Sequence, residues 1–198
     1  MGCFMFDIET LGTESNSIVL SAAITFFDFN EKRDQTDADS MRAHYHQYVS
    51  SSCFVKFDRS SQRILGRVDT EDTIKWWEKQ SPMAKQVSFV PTDSDLSVNE
   101  GIAKLRKYID DHGGNKKIVW ARGSLDQVCI DSLCRSVNEE PLFMYNMWRD
   151  VRTAIDILAE NSKGGYAPIP NFNPDLHVVK HIPQNDCALD ILMMLYHV

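Results

Sequence analysis

Apolar and polar positions along the first third of the chain follow the pattern of β-strands. The segments 3–9, 17–29 and 41–57 are rich in aromatic and β-branched residues, which favour strands. The charged segment 30–40 between the second and third runs is short enough for a turn. We therefore predict an antiparallel meander of three strands, with the third bent or broken near residues 50–52.

From about residue 69 onward, the apolar positions follow a helical period. Val98, Ile102, Leu105 and Ile109 recur at steps of four, three and four, which places them on one face of an amphipathic helix. Alternating strands and helices favour parallel pairing, so we predict one α/β domain with a mixed sheet. The other predicted elements are helices at 70–80, 82–87, 124–133, 150–160 and 185–196, a short helix begun by Pro174, and strands at 118–120 and 142–148.

The composition is typical of one soluble globular domain. The 198 residues are 43% apolar and 25% charged, which argues against a disordered chain. Five cysteines without a Cys-x-x-Cys pair argue against a disulfide framework or a cysteine zinc site, and favour a reducing cytoplasm. No apolar run reaches the roughly 18 residues that span a bilayer, and no signal peptide pattern precedes the first strand. We therefore expect no membrane partner.

The net charge limits how the protein could contact nucleic acid. Lys and Arg number 21 against 28 Asp and Glu, which gives a formal net charge of −7. Proteins that bind duplex non-specifically are usually basic, so any contact should be local. Lys56, Arg59, Arg63 and Arg67 form a cluster that could contact phosphate, and a solvated face of the protein is the alternative explanation.

Two acids, two residues apart, interrupt the apolar first strand. Asp7 and Glu9 point to the same face, because side chains on a strand alternate sides. Like charges on one buried face repel each other, and a divalent cation would offset that repulsion. The alternative is a strand that ends at Asp7, with Glu9 already in a solvated turn before Gly12. The spacing alone does not decide between the two.

Acids recur near the starts of two later helices. Asp126 lies in the first turn after the fourth strand, where ligands bind in α/β sheets. Asp186 holds the same place in the last helix, and His181 precedes it in a loop where a titrating base could operate. The helix dipole also favours acids in a first turn, and a lone histidine there is often only a polar surface group. The neighbouring residues that fit this pattern less well are Asp131, His177 and Asp190.

In chain order, D-x-E, an Asp at a helix start and H-x-x-x-x-D together resemble the DEDDh branch of the DEDD exonuclease superfamily, which includes proofreading subunits and oligoribonucleases. The residues that carry the resemblance are Asp7, Glu9, Asp126, His181 and Asp186. Segments 69–81 and 149–153 are similar, more narrowly, to the phage exodeoxyribonuclease A group and its bacterial exoribonuclease relatives. Arg122 is a departure, since many members have Asn or a similar small polar residue shortly before the second-motif Asp.

The resemblance implies a single exonuclease domain over residues 1–198 with a ribonuclease H-like fold, a mixed five-stranded sheet flanked by helices. It implies a metal-dependent 3′-to-5′ exonuclease that releases nucleoside 5′-monophosphates from the 3′ end of single-stranded DNA or RNA, with DNA slightly favoured. The setting would be the cytoplasm of a bacterial cell or of a phage-infected host. The alternative is a non-catalytic nucleic-acid-binding or scaffold protein on the same fold.

The implied site is a two-metal centre. Asp7, as the shared ligand, would hold two divalent cations, Mg²⁺ or Mn²⁺, together with Glu9, Asp126 and Asp186. Carboxylate oxygens suit these ions, and two ions about 3.5–4 Å apart can clamp the attacking and leaving oxygens of a phosphodiester. His181 would act as the general base that deprotonates the attacking water.

Implied substrate contacts begin in the turn after the first strand. Thr10, Leu11 and Gly12 would touch the terminal nucleotide, with Leu11 against a base. Trp76 and Trp77 lie about 100° apart on a helix, so we expect one in the core and one near the cleft. We assign base stacking to Trp77, and the alternative is that both tryptophans only pack their helix against the sheet.

Arg152 is a further candidate substrate contact. We expect it to hold a phosphate or a site carboxylate, and a structural ion pair with Asp150 or Asp156 is the alternative. The pattern assigns no role to Arg122. It also leaves open the preference for DNA or RNA, the choice between Mg²⁺ and Mn²⁺, and the oligomeric state.

Overall fold

The computed structural model describes residues 2–196, in which helices flank a mixed five-stranded sheet; residues 1 and 198, the predicted domain ends, lie outside that range. The strands are β1 (Gly2–Thr10), β2 (Val19–Asp28), β3 (Cys53–Lys56), β4 (Val119–Ala121) and β5 (Trp148–Asp150). Their order is β3-β2-β1-β4-β5, so β1 is central. It pairs antiparallel with β2 and parallel with β4. The predicted α/β class with a mixed sheet is confirmed.

Helices cover both faces of the sheet. In chain order they are α1 (Ala38–Ser51), α2 (Arg59–Ile64), α3 (Glu71–Glu78), α4 (Pro82–Ala84), α5 (Val98–Asp111), α6 (Leu125–Ser136), α7 (Val151–Leu158), α8 (Pro174–His177) and α9 (Pro183–Leu195). All except α1 and α2 lie where the sequence predicts helices. None of the described helices is both long and apolar enough to cross a membrane.

The predicted third strand is wrong over most of its length. Segment 41–51 belongs to α1, which follows the capping residue Asp37, and only the short strand β3 comes after it. Aromatic residues favour a strand by propensity, whereas the spacing of the buried side chains here is helical. The residues that α1 buries are Met41, His44, Tyr45 and Tyr48. β2 and β3 still pair antiparallel, through a helical connection instead of a turn.

Two other differences come from packing that leaves no local pattern. The predicted strand 142–148 is displaced, since β5 begins only at Trp148. The apolar residue Phe143, which suggested a strand, is buried in the core from an irregular segment. Helix α2 has no predicted counterpart, since the side chain that it buries is polar. That side chain, Gln62, bonds both the N–H and the carbonyl of Val19, at 2.8 and 2.7 Å.

Strand β1 is buried on both of its faces. Odd-numbered residues such as Met5 pack in the apolar cluster formed with α1, α7 and α9, whereas even-numbered residues such as Phe6 pack in the cluster formed with α5 and α6. Because side chains alternate along a strand, Asp7 and Glu9 point to the side of α9. The parity of the strand therefore directs both acids toward the helix that carries Asp186.

The basic cluster between residues 56 and 67 is not a free phosphate-binding surface. Arg67 is buried and donates to the backbone oxygens of Ser15 and Ser17. The other three side chains contact neighbours: Lys56 lies 3.7 Å from Asp95, Arg63 lies 2.7 Å from Asp69, and Arg59 lies over the ring of Phe89. Each of the four cations thus has a partner in the chain, and Arg67 has a structural role.

Candidate active site

The carboxyl end of the central strand opens into a cleft with a volume of about 640 Å³. β1 contributes Asp7 and Glu9, and the first turn of α6 contributes Asp126. Asp186 comes from the first turn of α9, and His181 comes from the loop before it. One cleft thus brings together all five residues predicted for the chemistry. We name Asp7, Glu9, Asp126 and Asp186 the carboxylate cluster.

Asp7 interacts with every other member of the carboxylate cluster. Burial, followed by repulsion from Asp126, Asp186 and Glu9, raises the pKa of Asp7 well above its usual value. Its Oδ2 atom is buried, and no group within residues 2–196 donates a hydrogen bond to it. A buried carboxylate oxygen without a donor is costly, and a divalent cation would remove that cost. The residues of the cleft therefore fit a bound cation.

Asp126 ties helix α6 to the central strand. Its Oδ1 accepts a hydrogen bond from the backbone N–H of Ile8 at 3.0 Å. Ile8 lies between Asp7 and Glu9, so this bond fixes the start of the helix against both acids of β1. Burial raises the pKa of Asp126 to about 7.

His181 is positioned by the loop that enters α9. Its backbone N–H donates to Asp186 Oδ2 at 2.9 Å, and its Nδ1 lies 3.4 Å from Glu9 Oε1. The φ angle of His181 is 65°, a left-handed conformation that is uncommon for a residue with a side chain and is found at functional sites. Glu9, His181 and Asp186 each place one potential ligand atom within 4.8 Å of the others.

The charge of the carboxylate cluster also shifts the other pKa values of the site. Burial raises the pKa of Glu9, and burial with repulsion from Glu9 raises the pKa of Asp186 to about 7. Contact with Glu9 raises the pKa of His181. All these shifts follow from negative charge held in a buried place, which a bound cation would compensate.

Arg122 and Asp190 form a buried ion pair beside the carboxylate cluster. Arg122 Nε and Nη2 donate to Asp190 Oδ1 at 2.9 and 2.7 Å, and Nη1 donates to the backbone oxygen of Gly165 at 3.0 Å. The guanidinium carbon lies 3.9 Å from the ring centroid of Tyr166. Asp190 lines the same cleft, but a cation of the chain itself already compensates its charge. Sequence reasoning missed Tyr166, which gives no local signal.

Two comparisons with known proteins bear on this cleft. A family model described as the 3′-5′ exoribonuclease Rv2179c-like domain matches residues 3–177. The chain belongs to this family of 3′-5′ exonucleases. The exodeoxyribonuclease of Enterobacteria phage T4 is 34% identical over 210 residues, a match that covers 98% of this chain and 87% of that protein. The predicted enzyme class, a nuclease that acts from the 3′ end, is confirmed.

The matches cover the exonuclease site unequally. The family match ends at residue 177, before His181 and Asp186, whereas the match to the phage T4 protein covers nearly the whole chain. The assignment of those two residues therefore rests on their geometry in the cleft. The two matches also differ in the nucleic acid that their names specify. The family description names an exoribonuclease, whereas the phage protein is an exodeoxyribonuclease.

Two of the predicted substrate contacts of the exonuclease are wrong. Trp77 is 0% exposed, stacks on Phe89 at 5.5 Å and donates its Nε1–H to the backbone oxygen of Thr10 at 3.0 Å. Leu11 is 1% exposed and packs in the same apolar cluster, so its side chain cannot face a base. Trp76 is 40% exposed and lines the cleft. As predicted, one tryptophan lies in the core and the other near the cleft, but the one near the cleft is Trp76.

A second cavity, of about 390 Å³, adjoins the cleft of the exonuclease. Thr10 and Gly12 line this cavity, and Trp76 borders both cavities. These positions leave Thr10 and Gly12 as candidate contacts of a terminal nucleotide. The second cavity combines the apolar side chains of Ile8, Trp76 and Leu125 with polar ones, as a site for a base and a sugar requires.

Arg152 lines the main cleft, as a phosphate contact requires. Within residues 2–196, its guanidinium has no hydrogen bond or ion pair at contact distance. Asp150 instead accepts from the backbone N–H of Arg152, and Asp156 accepts from Ser162 and Gly165. The alternative of a structural ion pair with either acid is therefore wrong.

Proposed function

We propose that this exonuclease hydrolyses the terminal phosphodiester at the 3′ end of single-stranded DNA, with two divalent cations and His181 as general base. The observation that carries the proposal is the convergence of the carboxylate cluster and His181 in one cleft. The buried Oδ2 of Asp7, which has no donor among residues 2–196, supports the presence of a cation in the working enzyme. Mg²⁺ and Mn²⁺ both suit an all-carboxylate ligand set.

The charge balance of the cleft supports two cations. When ionised, the carboxylate cluster carries four negative charges, which two divalent ions would neutralise. Asp7 is the natural shared ligand, because it interacts with each of the other three acids. Two bound cations would acidify the attacking water and stabilise the negative charge that develops on the leaving 3′-oxygen. The ion pair of Asp190 with Arg122 removes the fifth acid from this count.

His181 is suited to take the proton of the attacking water. Its Nδ1 faces Glu9, which leaves Nε2 as the nitrogen that can accept a proton. The interaction with Glu9 orients the ring and raises the pKa of His181, and a higher pKa makes the imidazole a stronger base. The bond from its backbone N–H to Asp186 fixes the base relative to the carboxylate cluster.

The cavity beside the cleft is the proposed site of the terminal nucleotide. Thr10 and Gly12 line it, and Trp76, which is partly exposed, lines both this cavity and the main cleft. Base stacking on such a ring contributes about 1–3 kcal/mol. The ring centroid of Trp76 also lies 4.7 Å from that of His181, with an angle of 79° between the ring planes. Trp76 therefore adjoins both the proposed general base and the proposed nucleotide site.

Single-stranded DNA is the proposed substrate class. The net charge of −7 disfavours binding along a duplex, whereas Arg152 and Lys180 place positive charge at the cleft. The preference for DNA is supported by the name of the phage T4 relative, which matches 98% of the chain. The family description names RNA, so both substrates belong in the test.

The test uses DNA and RNA oligonucleotides of matched sequence, each with a labelled 3′-terminal nucleotide. The wild type is expected to release labelled 5′-monophosphate in Mg²⁺ or Mn²⁺, faster from DNA, and to release none in a chelator. Asp7→Ala should abolish release. Asp93→Ala, a change of an exposed acid outside the cleft, is the matched control and should leave the rate unchanged.

Each part of the proposal has its own contradicting result. If the wild type is fully active in a chelator, the metal mechanism is wrong. If Asp7→Ala equals the wild type, the site is wrong. Faster release from RNA would overturn only the preference for DNA.

A further inference from the structure

A second exposed aromatic ring lines the main cleft and has no role in the chemistry described above. Tyr166 is 53% exposed and belongs to the loop between α7 and α8. One side of its ring is packed on the guanidinium of Arg122, at 3.9 Å. The exposed part of the ring is therefore on the sides that Arg122 does not cover, where a flat ligand could stack.

The loop holds Tyr166 in this position through contacts of the preceding glycine. The N–H of Gly165 donates to Asp156 Oδ1 at 2.9 Å, and its carbonyl accepts from Arg122 Nη1 at 3.0 Å. Gly165 has a φ of 77°, and a Cβ added there would lie 2.6 Å from the Cα of Arg152. Only glycine fits so closely against α7, so the loop and Tyr166 are fixed at the wall of the cleft.

Arg122 provides a firm support for the ring. Its guanidinium is bound by Asp190 on one edge and by the carbonyl of Gly165 on another, and its side chain is only 13% exposed. Aromatic rings and guanidinium planes are the surfaces on which proteins stack bases of single strands, with little preference for sequence. The Tyr166–Arg122 pair combines both surfaces in one place.

The arrangement of the two cavities gives this pair a place along the substrate. The cavities share four lining residues, Ile8, Glu9, Trp76 and Leu125, so the carboxylate cluster lies next to the site proposed for the terminal nucleotide. If the scissile phosphate of a single-stranded nucleic acid lies at the carboxylate cluster and its terminal nucleotide lies in the second cavity, the preceding nucleotides extend into the rest of the main cleft. Tyr166 and Arg152 line that part.

We infer that Tyr166, supported by Arg122, stacks the nucleobase of the nucleotide that precedes the terminal one, and that Arg152 meets the adjacent phosphate. The inference rests on the proposed function and extends it to a second nucleotide site. A single-stranded substrate thereby gains a contact that a free mononucleotide cannot make.

The experiment compares an oligonucleotide with a mononucleotide. KM and kcat are measured on single-stranded DNA for the wild type and Tyr166→Ala, together with the inhibition constant of thymidine 5′-monophosphate. Loss of one base stack is expected to raise KM for the oligonucleotide roughly ten-fold. The inhibition constant should not change, because the mononucleotide occupies only the terminal site.

Two further variants separate stacking from a merely structural role. Tyr166→Phe keeps the ring and should retain the KM of the wild type. Tyr145→Ala removes a tyrosine that is 83% exposed and does not line either cavity, so it should have no effect. An unchanged KM in Tyr166→Ala would overturn the inference, and so would an equal rise of KM and inhibition constant. A wild type that degrades no oligonucleotide would overturn the proposed function itself.

Discussion

Helix α9 connects two groups of polar residues, of which one has its hydrogen bonds completed within the chain and the other does not. Near its C-terminal end, Tyr196 donates to His44 Nδ1 at 2.9 Å, and His44 Nε2 lies 3.0 Å from the hydroxyl of Tyr48. Tyr48 in turn donates to Glu31 at 2.9 Å, and the hydroxyl of Tyr196 accepts from the N–H of Arg33. We name Glu31, His44, Tyr48 and Tyr196 the tyrosine network. Each donor in it has an acceptor within the chain.

The carboxylate cluster at the N-terminal end of α9 is its opposite. Its members repel one another, and the buried Oδ2 of Asp7 has no donor within residues 2–196. Burial of polar groups is stable when their hydrogen bonds are completed and costly when they are not. In this protein the completed network supports the fold, whereas the incomplete one coincides with the cleft in which we propose that cations bind.

The largest expected effect comes from removing the proposed base. His181→Ala should lower turnover at neutral pH roughly 10²- to 10⁴-fold, the range for a lost general acid or base. Stabilisation of the protein by Mg²⁺ or Mn²⁺ in thermal unfolding should persist, because the carboxylate cluster remains. His46→Ala, a change of an exposed histidine, is the control. Loss of the metal response in His181→Ala would make His181 a ligand instead of a base.

The next largest effect, a loss of stability, is expected when the ion pair between Arg122 and Asp190 is broken. Arg122→Met leaves Asp190 buried without its cation, which typically costs about 3–5 kcal/mol in unfolding free energy. Arg122→Met with Asp190→Leu replaces both charges and should recover most of that loss. Urea unfolding of the two variants measures the effect. Equal loss in both variants would mean that packing, and not the unpaired charge, sets the cost.

The carboxylate cluster and the tyrosine network should change the stability of the protein in opposite directions as the pH rises. The pKa of Asp126 and that of Asp186 are raised from 3.8 to about 7, so their contribution to stability is complete below about pH 4 and is lost as the pH rises through 7. Burial lowers the pKa of His44 from 6.5 to about 4. Its contribution is therefore complete above about pH 6.5 and is lost as the pH falls toward 4.

Cation binding distinguishes the contribution of the carboxylate cluster from that of the tyrosine network. At a fixed concentration that is 100 times its dissociation constant at pH 8, Mg²⁺ should stabilise the folded protein by about 3 kcal/mol at that pH. The gain should be smaller at pH 5 than at pH 8, because protons compete for the carboxylate cluster. Unfolding free energy with saturating Mg²⁺ and with chelator gives the difference. A gain that is equal at both pH values would contradict the raised pKa values of Asp126 and Asp186.

The smallest effect is expected in the tyrosine network. Tyr48→Phe removes the hydroxyl between His44 and Glu31 and should cost about 1–3 kcal/mol, the penalty for buried groups left without partners. Activity below the unfolding temperature should be unchanged. Tyr145→Phe, at an 83% exposed position, should change neither property. A drop in activity with unchanged stability would show that the network does more than hold the fold.

The sequence was informative wherever one element carries the signal. Alternation along β1 predicts that Asp7 and Glu9 share a face, and first-turn positions predict Asp126 and Asp186. The central strand and the amphipathic helix α5 follow from periodicity in the same way. These features depend on residues that are close in the chain, so the local sequence pattern records them.

Other features depend on residues that are distant in the chain. Arg122 meets Asp190, 68 positions later, and no local pattern records that meeting. The angle between Trp76 and Trp77 predicts that they diverge, but the docking of α3 decides that Trp77 is buried. The helix α1 was missed because its aromatic residues favour strands by propensity, while its burial follows the helical period.

The bond from the N–H of His181 to Asp186 has a consequence for how this enzyme could evolve. One carboxylate both belongs to the carboxylate cluster and anchors the left-handed turn that presents the base. A single substitution at Asp186 would therefore remove a ligand and release the base together, and its effect would not add to that of a change at His181. Loss of activity along a lineage can thus occur in one step, and only a side chain that serves both functions at this position can restore it in one step.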